Sequence, residues 1–214
     1  MRVAYIVLTC KAYWETRSVW QKETVFKNVS LEDVYYLGHI MKPDERLFSW
    51  GAGDDYMSLP YKFSDFFRSS ELDYDWYVLI DDDTYVYVDR LLRRLASLDP
   101  LSMYMEGNIL THLAETEWGT YHSGGAGTVL SRSVYRYLQR MFRSIPHEYR
   151  PPHWCADVCL GLWTRHILGI QKIDCKDYHT EMFQMGQDDP KTAITFHHLK
   201  TERDYWTCHS LTEN

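Results

Sequence analysis

The chain has 214 residues, 45% of them hydrophobic and 25% charged, which is enough for one substantial core and does not demand a second domain. Its formal charge of −7 gives a field that repels polyanions, and no Lys/Arg run supplies a nucleic-acid footprint, so nucleic acid is not an expected partner. No stretch approaches the ~18–20 uninterrupted apolar residues of a membrane span.

The opening Met1–Thr9 is too short for the apolar region and cleavage site of a signal peptide, and Val3–Leu8 reads as a buried first strand. A helix carrying Arg17, Trp20 and Phe26 follows. Arg46–Ser49 reads as a short strand running into a small-residue loop, Trp50-Gly51-Ala52-Gly53. Pro60 fits the first turn of a helix through Phe63, Phe66 and Phe67. Trp76–Ile80 is the clearest buried strand, a continuous apolar run. Helices are expected at Val88–Ser97, Ser131–Phe142 and Ala156–Leu168, with a turn at Pro151-Pro152 and a late strand at Ala193–His197. Strands alternating with helices predict an α/β layer fold with a mostly parallel central sheet, as a single domain over residues 1–214. Cys10, Cys155, Cys159, Cys175 and Cys208 form no regular framework and suit a reducing compartment. Cys155 and Cys159 with His153 and His166 lack the spacing of a zinc site.

Asp81-Asp82-Asp83 follows the clearest strand directly. Three adjacent carboxylates repel one another, so keeping them together needs a reason. In an extended chain Asp81 and Asp83 share one side and Asp82 takes the other. Two carboxylates on one side can hold a hard divalent cation, Mg²⁺ or Mn²⁺. That cation would neutralise a diphosphate and leave Asp82 to accept from a ribose. The position also agrees with ligand binding beyond the carboxyl ends of strands in open α/β sheets. The competing reading is an acidic turn capping the helix that begins near Asp89, but Thr84-Tyr85-Val86-Tyr87 is apolar for an exposed turn. An aspartate-nucleophile phosphatase wants Thr or Val four residues after the first Asp, and Tyr85 stands there.

Gly124-Gly125-Ala126-Gly127 lets another group approach the backbone closely, either the sugar of a donor or a packed helix. The GxGxxG spacing of a dinucleotide site is absent. Asp157, near the start of its helix, is either a helix-dipole partner or a base that accepts the proton of an attacking hydroxyl. His197 and His198 on the late strand, and His179 before it, are candidate imidazole ligands beside carboxylates.

Five segments in order resemble the fringe-like and core-1-type β3-glycosyltransferases. They are Asp55-Tyr56…Leu59…Lys62, Asp75-Trp76 through Asp81-Asp82-Asp83-Thr84-Tyr85, Ser123-Gly124-Gly125-Ala126-Gly127…Leu130-Ser131, Asp157-Val158…Gly161 and Phe196-His197. The resemblance spans Val3 to Lys200. It implies a GT-A fold and a transferase that uses Mn²⁺ or Mg²⁺ to move a sugar from a UDP-sugar donor to a glycan or glycoprotein hydroxyl. It also implies Asp83 as the principal metal ligand with Asp81 beside it, and His197 as the remaining ligand with His179 as fallback. Asp82 would face the ribose, and Thr9, Arg17, Lys62 and Gly125 would contact the donor. Asp157 would be the general base of an inverting displacement, although the family's acid before that Asp is Ala156 here. Golgi relatives carry an anchor and stem, whereas this chain opens on its first strand. An excised catalytic domain or a cytoplasmic enzyme is therefore expected. The chain is also similar to the compact glycosyltransferase domains of large chlorella viruses, which implies capsid glycan synthesis in the host cytoplasm. Two other classes compete: a carbohydrate-binding protein on a degenerate transferase fold, and a nucleotidyltransferase, whose Gly-rich basic loop after the first strand is not evident.

Overall fold

The computed structural model describes residues 1–38, 47–48, 53–146, 148–184 and 188–211. In chain order its elements are β1 (Val3–Leu8), α1 (Lys11–Trp14), α2 (Arg17–Glu23), β2 (Val34–Leu37), β3 (Leu47–Phe48), α3 (Leu59–Ser69), β4 (Trp76–Asp81), β5 (Tyr85–Val86), α4 (Val88–Leu95), β6 (Tyr104–Gly107), β7 (Ile109–Leu110), β8 (Tyr121–His122), β9 (Thr128–Ser131), α5 (Arg132–Ser144), α6 (Ala156–Trp163), β10 (Gln171–Asp174), β11 (Thr195–Phe196) and α7 (Glu202–Ser210). Seven strands form one sheet in the order β10-β6-β9-β4-β1-β2-β3. Neighbours are parallel except β9, which runs antiparallel to both β4 and β6. The expected mostly parallel sheet is therefore present.

Alternating side chains explain why β1 and β4 sit at its centre. Val3, Tyr5 and Val7 join Trp76, Val78 and Ile80 in one apolar cluster with Phe26, Leu91, Leu95 and Tyr205. Ala4, Ile6 and Leu8 join Tyr77 and Leu79 in the other, against Phe63, Phe66 and Phe67 of α3, Leu138 and Phe142 of α5, and Leu160 of α6. Both faces are covered, which is what continuous apolar strands require. β1 pairs with β4 in parallel from Val3 opposite Trp76 to Leu8 opposite Asp81, so the carboxyl ends of the two strands lie level.

Several boundaries differ from the sequence expectation. The second helix ends at Glu23, and Phe26 follows it in a turn whose ring still reaches the core. Leu47–Phe48 forms the short strand expected near Arg46–Ser49, while Arg46, Ser49 and residues 50–52 lie outside the described residues. α6 stops at Trp163 and not at Leu168, because the Thr164 hydroxyl donates back to the Leu160 carbonyl at 2.8 Å and the chain then turns through Gly169 at φ 74°. The late strand is only Thr195–Phe196. No helix among the described residues is long and apolar enough to cross a membrane. None of the five cysteines is in a disulfide.

Candidate functional site

The acidic turn at the end of β4 is fixed by its backbone. Gln21 donates through Nε2 to the carbonyls of Asp81 at 3.0 Å and Thr84 at 2.9 Å. The Asp82 amide donates to the Leu8 carbonyl at 2.9 Å, and the Tyr205 hydroxyl donates to the Asp82 carbonyl. Beyond the turn, β5 pairs antiparallel with β11, with Phe196 opposite Tyr85. That ribbon delivers the next residue, His197, to the carboxylates.

One ligand atom each from Asp81, Asp83 and His197 lies within 4.8 Å of the others, and this is the one such group of side chains able to hold a metal ion among the described residues. His197 Nε2 is 3.1 Å from Asp83 Oδ1 and 3.8 Å from Asp81 Oδ2. Its Nδ1 lies 3.2 Å from the Thr180 carbonyl, a partner that fixes Nδ1 as the donor and leaves the Nε2 lone pair for a cation. His179 is elsewhere: its Nδ1 pairs with Asp188 at 3.2 Å and its ring packs on Phe196. The structure thus brings together the first-choice set and not the fallback. Hard carboxylate oxygens with one imidazole fit Mn²⁺ or Mg²⁺.

The electrostatics match that chemistry. Burial pushes the Asp81 carboxyl up, and the neighbouring Asp83 adds to the rise, though 30% of the side chain stays exposed to water. Burial would raise Asp83 as well, but His197 and Lys200 outweigh it and hold that carboxyl well below the usual range. Burial would lower His197, and the two carboxylates reverse the sign and raise it.

The strand ends at Asp81, so Asp82 and Asp83 lie in a turn and the strict alternation of an extended chain does not apply to them. The oxygens of Asp82 are already engaged, accepting from Thr9 Oγ1 at 2.8 Å and from Arg17 at 3.0 Å. Arg17 also reaches Asp83 at 3.4 Å and lies over the Tyr13 ring. Lys62 Nζ donates to the Thr9 carbonyl at 2.8 Å and pairs with Asp54 at 3.1 Å. Thr9, Arg17, Lys62, Asp81, Asp82, Asp83 and His197 all line one cavity of about 450 Å³. That is within the ~300–1,000 Å³ of small-molecule sites.

Gly125 stands behind this cavity. A Cβ there would fall 2.1 Å from the His197 ring, so the close approach its turn permits is made by that imidazole. Next to it, the Gly124 amide donates to Asp157 Oδ2 at 3.2 Å. Asp157 Oδ1 accepts from its neighbour Val158 at 2.8 Å and from the Cys155 thiol at 3.0 Å. Burial and the Asp157 charge push the Cys155 thiol up to about 12, so it stays a donor. Cys159 instead donates to the His153 carbonyl, so the two thiols serve hydrogen bonds.

Sequence reasoning missed Lys200, whose ammonium pairs with Asp83, and Tyr13, Asp54 and Tyr56, which line the same cavity. Only the closeness of Lys200 to Phe196-His197 was a signal for it.

A family profile described as Fringe-like matches residues 58–210. Among solved structures, a glycosyltransferase involved in glycosylation of the major capsid of PBCV-1 is 15% identical, with a TM-score of 0.51 over 99% of this chain and 100% of that one. The galactosyltransferase LgtC, solved with donor and acceptor sugar analogs, is 12% identical at TM-score 0.52, covering 98% of this chain and 94% of its own. The glycosyltransferase GlyE of Streptococcus pneumoniae TIGR4 is 11% identical at TM-score 0.54, with 100% of this chain matching 63% of that one.

Proposed function

This chain belongs to the Fringe-like family and has the GT-A glycosyltransferase fold, and from that premise we propose that it is a metal-dependent enzyme moving a sugar from a UDP-sugar to a glycan hydroxyl. The observation that carries the reading is the convergence of Asp81, Asp83 and His197 at the edge of a cavity that also holds Arg17, Lys62 and Lys200. Asp81, Asp83 and His197 would hold Mn²⁺ or Mg²⁺. When bound, such an ion supplies Lewis-acid neutralisation of the diphosphate leaving group.

The chain's own residues do the rest. Arg17 and Lys200 bring fixed positive charge to the same carboxylates, within reach of phosphate oxygens. Asp82 orients Thr9 and Arg17 toward the donor through its two hydrogen bonds. In the transfer, the acceptor oxygen bonds to the anomeric carbon and the bond from that carbon to the diphosphate breaks. UDP departs, and the hydroxyl proton passes to Asp157 with inversion at the carbon. Asp157 suits this role because Gly124, Cys155 and Val158 hold its carboxylate beside the turn that seats His197. Residues 1–214 act as one catalytic domain in this reading. The likeness to the PBCV-1 enzyme supports a glycoprotein acceptor of the viral capsid kind.

Calorimetry with UDP, with and without Mn²⁺, is the direct test, and a panel of UDP-sugars followed by mass spectrometry identifies the donor. Asp83→Ala is expected to abolish metal-dependent UDP binding and turnover while the far-UV spectrum stays unchanged. Normal transfer by that variant would refute the metal site. Glycan binding with no response to UDP would favour a carbohydrate-binding module.

A further inference from the structure

A second cavity, of about 640 Å³, opens at the other end of the sheet. Val3 lines it and Leu8 lines the donor cavity, and these residues are the two ends of β1, about 16 Å apart at the rise of a parallel strand. The two cavities have no lining residue in common among the described residues. The walls of the second come from the start of β1, the turn after α2, β5 and α4.

The charge around its mouth reverses that of the chain. A molecule with a formal charge of −7 presents Arg2, Arg90, Arg93 and Lys191 here, against Asp33 and Asp89. Asp89 lies in the first turn of α4, where the helix dipole already favours an acid. Arg17, Arg94 and Arg132 each pair with a carboxylate elsewhere in the fold, whereas none of these four cations does so among the described residues. Backbone carbonyls and rings hold two of them in place without cancelling their charge. Arg2 donates to the Asp73 carbonyl at 3.1 Å and lies over the Tyr74 ring. Arg90 donates to the Ala193 carbonyl at 2.9 Å and lies over the Tyr87 ring. Arg93 and Lys191 are exposed, and their charged ends have no hydrogen-bond partner among the described residues.

The floor points to a ligand independently. Tyr5 lines the cavity at 2% exposure, and its hydroxyl has no hydrogen-bond partner among the described residues. Burial, with the charges of Asp33 and Asp89, pushes the phenol up, so its proton stays available to donate. The ring packs on Phe26 with centroids 5.3 Å apart, which holds the hydroxyl in that position. A buried hydroxyl without a partner is costly, and most such groups in folded proteins meet one.

We propose that this cavity is a second ligand site, for a phosphorylated sugar whose phosphate pairs with Arg93 and Lys191 and whose hydroxyls meet Tyr5 and Asp33. Guanidinium and ammonium donors both suit a phosphate dianion. A hydroxylated body suits the space beneath it, because Asp33 repels a further anion but accepts from hydroxyls. The volume is that of a small-molecule site. No residue of the metal site takes part, so the inference stands apart from the transferase reading.

Calorimetry on the metal-free protein at low salt is the test, with glucose 1-phosphate, UMP, inorganic phosphate and methyl glucoside as probes. Glucose 1-phosphate is expected to bind more tightly than phosphate, and methyl glucoside not measurably. The double variant Arg93→Gln/Lys191→Gln should raise the Kd of glucose 1-phosphate by about tenfold, and Tyr5→Phe by about threefold. Arg93 and Lys191 are exposed and Phe keeps the Tyr5 ring, so an unchanged melting curve of the ligand-free variants is expected. UMP binding more tightly than glucose 1-phosphate, with the same sensitivity to the variants, makes a nucleotide the source of the phosphate; the reverse order makes it a free sugar phosphate. Lys200→Met is titrated alongside, because Arg17 and Lys200 offer phosphate a rival place in the donor cavity. Binding that Lys200→Met abolishes and the double variant leaves untouched overturns the proposal. So does inorganic phosphate binding as tightly as its esters, or no binding by either ester.

Discussion

Replacing Gly125 with Ala tests whether the glycine turn exists to seat His197. Gly125 is not among the positive-φ residues, so the backbone tolerates Ala and only the added Cβ matters. The turn is tied down by Thr84 Oγ1, which donates to the Gly125 carbonyl at 2.7 Å, and by Thr195, which donates to that of Ala126. The added carbon would lie 2.1 Å from His197 Cε1 and 2.4 Å from Nε2, and ordinary contact begins at 3.4 Å, so the ring must retreat by about 1.3 Å. Metal–ligand distances tolerate only ~0.2 Å, so Nε2 would leave an ion held by Asp81 and Asp83. Mn²⁺ affinity should fall by about 10–100-fold. The clash itself should cost about 1–3 kcal/mol of stability. Calorimetric Mn²⁺ titration and urea unfolding of wild type, Gly125→Ala, His197→Ala and the double variant form the assay. With His197 truncated, Gly125→Ala should cost almost nothing, a coupling of about 1–3 kcal/mol. An equal cost in both backgrounds, or undiminished Mn²⁺ affinity, would refute the reasoning.

Three further outcomes are expected. Lys200→Met removes a half-exposed cation paired with Asp83, so Mn²⁺ alone should bind about two- to fivefold tighter while UDP at saturating Mn²⁺ binds more weakly; calorimetry showing weaker Mn²⁺ binding contradicts this. His122 is buried against the Ile173 carbonyl, and burial holds its pKa down at about 4. The unfolded chain takes up that proton first, so the contribution is present above pH ~6.5 and is lost as pH falls through about 4, up to about 3 kcal/mol. Urea midpoints of wild type and His122→Gln should therefore converge on acidification, and parallel curves would exclude the effect. Phe67→Ala empties a fully buried site packed by Phe63, Phe66, Tyr135 and Phe142, and should cost about 3–5 kcal/mol in urea unfolding; a loss under about 1 kcal/mol would mean the core refills.

The sequence alone determined the two central strands and the acidic turn, because a buried parallel strand must be apolar on both faces and a sharp change to three carboxylates marks where it leaves the core. It also determined most of the helices, through caps and periodicity that act within four residues, as where the Ser131 hydroxyl accepts from Val134. It did not reveal β2, β6, β9 or β10. β6 hides the polar Glu106 side chain, which Arg94, Tyr104 and Tyr178 supply with hydrogen bonds, and the edge strand β10 is only partly covered. Tertiary structure separated His197 from His179, because pairing of β5 with β11 carries only the former to the carboxylates. It likewise brought Lys200 to Asp83 across 117 residues. Local patterning records which face of a strand or helix is buried. Which distant side chain closes a site depends on register between strands, and that is set only when the whole sheet assembles.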